Sequence, residues 1–125
     1  MPNFLLVMIG GAVGAGLRYE VGRVALRQMG PGFPWGTLLV NLAGGLLIGV
    51  LAGALAAQGS ANRTLWMLLA VGLLGGFTTF SAFSFDLFVM LERGEFGMAM
   101  AYALGSVAGS VLLLFAGWGL ARLAV

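Results

Sequence analysis

Cysteine and histidine are absent from this 125-residue chain, and all six of its basic residues are arginines. Without thiols it can build no disulfide framework and no thiolate nucleophile. Without imidazole it has no His metal site, and few groups remain for acid–base chemistry near neutral pH. Charge is scarce: 8% of residues are charged, the net charge is +2, and no basic run exists that could follow a nucleic-acid backbone. A Ser or Thr nucleophile would lack an obvious base, so an enzyme is the least expected class.

What fills the chain instead is apolar. Hydrophobic residues make up 61% of it and the mean hydropathy is +1.06, far more apolar surface than a soluble domain this small could bury. The surplus predicts an all-α membrane protein whose solvent is the lipid bilayer. Uncharged stretches of about 35, 22 and 26 residues run over 28–62, 64–85 and 96–121, each at or above the roughly 20 needed to span. The first apolar stretch could pass for a signal peptide, but it lacks a basic leader and is read as a retained helix. It is uncharged up to Leu17 and then carries Arg18, Glu20 and Arg23, which predicts emergence near Arg18. Four helices are therefore expected, over about 4–27, 34–58, 63–91 and 96–122, in one four-helix transmembrane domain covering 1–125. Turn chemistry at 30–34, 59–62 and 92–95 separates them.

An even helix count puts both termini on one side. Arg63 and Arg122 then face Arg23, Arg27 and Arg93 across the membrane, with Arg18 near the latter boundary. Flanking basic residues normally fix orientation, and so close a balance permits insertion both ways round and hence an antiparallel dimer. Chance among few charges gives the same balance. Glycines recur four apart at Gly10/Gly14, Gly45/Gly49/Gly53, Gly72/Gly76 and Gly105/Gly109, a spacing that lets membrane helices approach closely. That pattern predicts a bundle and says nothing of cargo.

Intramembrane polar side chains carry more information, because in lipid they need partners or a water path. Thr37 and Asn41 form a stripe on the second helix, and Tyr102, Ser106 and Ser110 form one on the fourth. The third carries Thr78, Thr79, Ser81 and Ser84. Helix-to-helix hydrogen bonding explains any one of them; two aligned stripes favour a polar pathway. Asp86 lies toward the exit of the third helix and no carboxylate is expected at mid-depth, so the path would be lined by donors, with Arg18 at its mouth, and would suit an anion. Gly75 and Gly76 are poor helix formers, while Thr78, Thr79 and Ser81 are of the type that caps a new helix. Together they predict a break near 75–79, with carbonyls freed for a cation and N–H groups aimed onward; a continuous helix with a glycine contact face is the other reading. Phe80 and Phe83 share a face just beyond. They either fill space or offer electropositive ring edges to an anion.

Three ordered motifs now stand out: GGAVGAGLRY at 10–19, FPWGTLLVNLAGG at 33–45 and GLLGGFTTFSAF at 72–83. They resemble the Fluc-type (CrcB) fluoride channels along nearly the whole chain. The resemblance implies a dual-topology homodimer of four-helix subunits in the cell inner (plasma) membrane, with a broken third helix and two antiparallel pores through which fluoride leaves the cell passively. It also implies a central structural Na+ held by backbone carbonyls, which by motif position are those of Gly75 and Thr78. Phe80 and Phe83 match the phenylalanines of the fluoride path, Asn41 its asparagine, and Tyr102, Ser106 and Ser110 its hydroxyl track, while Arg18 matches a vestibule arginine. Where the family usually reads TFSTF, Ala82 removes one hydroxyl, although Thr79 and Ser81 can still serve. The rivals are a small dual-topology multidrug exporter, which needs a membrane-embedded carboxylate that the first helix lacks at mid-depth, and a structural subunit of a membrane complex, which would pass no ions.

Overall fold

The computed structural model describes residues 2–57 and 62–124. It is all-helical, with four stretches long and apolar enough to cross a membrane. Helix α1 (Asn3–Met29) starts after Pro2, whose carbonyl accepts from Leu5 and Leu6 N–H, and stops at Gly30, whose φ of +80° suits glycine. Helix α2 (Trp35–Ala57) begins directly after Pro34, a residue that cannot continue a preceding helix. The expected end of the second helix at residue 58 and most of the turn at 59–62 lie outside the described residues.

The third span (Arg63–Glu92) is two helices. Its first half, α3, runs through Arg63–Leu65, Trp66–Leu74 and Gly75–Phe77 end to end, capped by the Asn62 side chain, which accepts from Leu65 N–H at 3.0 Å. Over Trp66–Leu74 the coil is a π-helix, a wider winding in which each N–H reaches five residues back. The second half, α4 (Ser81–Glu92), ends in a Schellman turn: Gly94 sits at φ +75°, its N–H donates to Leu91 O, and Glu95 N–H donates to Met90 O. Helix α5 (Phe96–Ala124) then closes the chain.

Glycine sets how these helices meet. Helix α2 lies along α5, and a Cβ on Gly45 would come within 2.6 Å of Ser110 O, one on Gly53 within 2.8 Å of Trp118 O. Helix α1 lies along α3, where a Cβ on Gly10 would meet Leu73 N at 2.8 Å and one on Gly76 the Gly11 carbonyl at 2.5 Å. With no water to expel between helices in lipid, this closeness is the source of van der Waals attachment. The buried aromatic core is small: Phe83, Met90, Ala99 and Tyr102, with Phe33 and Leu38 packed against it. Many large apolar side chains, Phe4, Leu112 and Phe115 among them, stand on the outer surface, as lipid contact requires.

Candidate functional site

The interruption between α3 and α4 covers residues 78–80. Gly75 and Gly76, expected as the breakers, are helical, with Gly75 at φ −61° and ψ −40°. The smallness of Gly76 serves the α1 contact, and the chain leaves the helix only at Thr78, which is extended at φ −86° and ψ 162°. Nor do the hydroxyls all cap. The Thr78 hydroxyl donates back to Leu74 O at 2.9 Å, beside the Thr78 N–H at 3.0 Å, whereas Thr79 Oγ1 does cap α4, accepting from Ala82 N–H at 3.2 Å. Ser81 is exposed and pairs with Thr79 Oγ1 at 3.4 Å.

Backbone that has left a helix inside a membrane must find partners elsewhere, and Asn41 on α2 supplies them. Its Oδ1 accepts from Thr79 N–H at 2.8 Å while its Nδ2 donates to Thr79 O at 3.0 Å, a two-way pairing that stands in for the missing helix bonds. Ser110 Oγ reaches Asn41 O at 3.3 Å and ties α5 to the same point. Asn41 is thus a backbone partner first, with one of its amide protons already used.

A cleft of about 500 Å³ opens at the interruption, and Asn41, Thr79, Phe80, Phe83, Ser106 and Ser110 all line it, as do Gly75 and Thr78. Of these, Ser106 is the outlier: its Oγ is buried and, among the described residues, it is the one buried side-chain polar atom without a hydrogen-bond partner. The two phenylalanine rings lie 5.8 Å apart but in unlike surroundings, with Phe80 78% exposed and Phe83 only 7%. Phe83 leans on Tyr102 at 5.1 Å between ring centroids.

Tyr102 does not line the cleft with its stripe-mates. It is almost wholly buried and donates to Asp86 Oδ2 at 2.8 Å. Asp86, placed by the sequence toward the exit of the third span, lies on α4 and is bonded to the tyrosine of the α5 stripe. The spacing of Phe80, Phe83 and Asp86, three residues apart on one helix face, was a signal available in the sequence. Arg18 is likewise engaged, its Nε donating to Gly76 O at 3.1 Å. It borders a separate cavity of about 370 Å³ with Thr37, Arg23 and Thr79. Thr79 lies between the two spaces and borders both. Among the described residues no group of three or more His, Cys, Asp or Glu is placed to hold a metal ion.

Four apolar helices, one of them discontinuous beside a hydroxyl-lined cleft, define a small multi-pass membrane protein built around a broken helix. The family profile described as CrcB-like protein, Camphor Resistance (CrcB), matches residues 5–118. The chain belongs to the CrcB family. It is 55% identical over 123 residues to the "Fluoride-specific ion channel FluC" of Phenylobacterium zucineum (strain HLK1), covering 98% of this chain and 97% of that one. To the protein of the same name from Chelativorans sp. (strain BNC1) it is 53% identical over 122 residues, with 98% of each chain covered. For Caulobacter vibrioides (strain NA1000 / CB15N) the identity is 48% over 123 residues, at 98% and 97% coverage.

Proposed function

We propose that this protein is a fluoride-selective channel that lets the anion leave the cell passively across the inner membrane. The observation that carries the reading is the unpartnered Ser106 hydroxyl, buried beside Ser110, Phe80 and Phe83 in the cleft at the broken helix. A buried hydroxyl without a partner is unfavourable by about 1–3 kcal/mol, and a passing anion would satisfy it. A small, strongly hydrated anion needs donors and positive ring edges in place of its water. The relatives' names supply the identity of that ion.

The finer reading is an antiparallel, dual-topology homodimer with two pores. The 78% exposure of Phe80 at the mouth of the cleft supports it, since a second copy would complete a wall that one chain leaves open. The carbonyls of Gly75 and Thr78 accept no hydrogen bond among the described residues and border the same cleft. Such free oxygens at the junction of two half-helices fit Na+. Bound there, Na+ would supply a fixed positive charge, and Gly75 and Thr78 would hold it.

Liposomes that carry the purified protein and are loaded with fluoride test the reading. Fluoride release followed by electrode, without matching chloride release, is the expected result. No release from intact protein would refute the channel and favour a structural subunit; equal chloride release would refute selectivity. Proton-coupled export of a cationic drug would instead favour the transporter.

A further inference from the structure

The interruption exposes more carbonyls than a cation could use, and the chain disposes of them unequally. Leu74 O takes both the N–H and the hydroxyl of Thr78, at 3.0 and 2.9 Å. Gly76 O takes Arg18 Nε from α1 at 3.1 Å, and Thr79 O takes Asn41 Nδ2 from α2 at 3.0 Å. Gly75 O, Phe77 O and Thr78 O are passed over, and of these Gly75 and Thr78 border the cleft. Side chains from α1, from α2 and from the interruption itself thus occupy the carbonyls that flank the free ones along the chain.

Resting on the reading that a cation binds here, we propose that Arg18, the Thr78 hydroxyl and Asn41 are positioning residues that select the cation's ligands, and with them its size. Discrimination between Na+ and K+ depends on how many carbonyl dipoles face the ion and how freely they move. A donor already seated on Gly76 O or Thr79 O removes that oxygen from the set and fixes the peptide planes on either side. Hydrogen bonding and charge can be separated here, because glutamine keeps an N–H donor and discards the charge.

The test is equilibrium dialysis of the purified protein against equal NaCl and KCl, followed by elemental analysis of the ions bound per chain above the dialysate. Wild-type protein should hold Na+ with at least tenfold less K+. Arg18→Met and Thr78→Val should bring the two ions to within about threefold at unchanged helicity and oligomeric state, while Arg18→Gln keeps the wild-type ratio; about tenfold is 1.4 kcal/mol of discrimination. An unchanged ratio in folded Arg18→Met or Thr78→Val overturns the inference and leaves the cation reading standing. Wild-type protein with no bound ion overturns both. Should Arg18→Met fail to fold, Thr78→Val, which has the same shape and loses one hydroxyl, decides the matter.

Discussion

At the scale of single residues, the two phenylalanines and the serine below them separate packing from transport. Phe83 is buried against Tyr102, so Phe83→Ala should leave a cavity and destabilise the subunit by about 3 kcal/mol. Phe80 touches far less of its own chain, and Phe80→Ala should leave the thermal unfolding of the subunit nearly unchanged while slowing fluoride release. Differential scanning fluorimetry beside liposome efflux reads both effects. Equal destabilisation by the two variants would show Phe80 to be ordinary packing. Ser106→Ala carries the opposite signature, because deleting a hydroxyl that has no partner removes a buried penalty. It should raise stability by about 1 kcal/mol and still reduce flux severalfold. Lower stability would mean that the hydroxyl has a structural partner instead.

At the scale of elements, the join of α3 to α4 depends on a glycine in another helix. A Cβ on Gly44 of α2 would run into Thr78 Cγ2, which the hydroxyl's bond to Leu74 O has turned toward α2. Gly44→Ala should therefore displace Thr78, destabilise by about 1–3 kcal/mol and slow efflux, whereas Gly97→Ala, with open space around it, should be neutral. Identical melting and efflux in the two variants would contradict the contact. This junction also shows what a sequence can disclose. Hydroxyls crowded into an apolar span marked the break, since such groups compete for backbone bonds wherever they stand. Which residues leave the helix was not readable, because Gly76 is small for the sake of α1, a neighbour far away in sequence, and Gly75 stays helical beside it. The π-winding of Trp66–Leu74 was equally hidden: apart from Gly72 its residues are ordinary helix formers, and nothing local distinguishes i−5 from i−4 bonding. The four apolar spans were plain because bilayer thickness alone dictates them. Asn41 could be singled out as a polar residue in lipid, but its pairing with Thr79 joins residues 38 apart and needed the fold.

At the scale of the whole molecule, the question is whether the arginine balance allows both orientations to be made. Arg63 and Arg122 flank one side and Arg23, Arg27 and Arg93 the other, so two added charges should outweigh the existing difference. Gln28→Arg with Gly32→Arg loads one side at exposed positions; Asn3→Arg with Thr64→Arg loads the other, also at exposed positions. If function requires an antiparallel pair, each doubly substituted chain expressed alone should insert one way and lose most of its fluoride efflux, because opposed partners become scarce. Co-expression of the two should restore efflux, since each supplies the orientation that the other lacks. Cysteine accessibility measured from both faces of the membrane, through a single cysteine added to this cysteine-free chain, reports the orientation of each population. Full efflux from either variant alone, with its orientation shown to be uniform, would rule out the antiparallel pair and leave a parallel or single-chain pathway. Loss of efflux without restoration on co-expression would attribute the loss to the substitutions themselves, and Gln28→Leu with Gly32→Ser, uncharged at the same positions, should then be inactive as well.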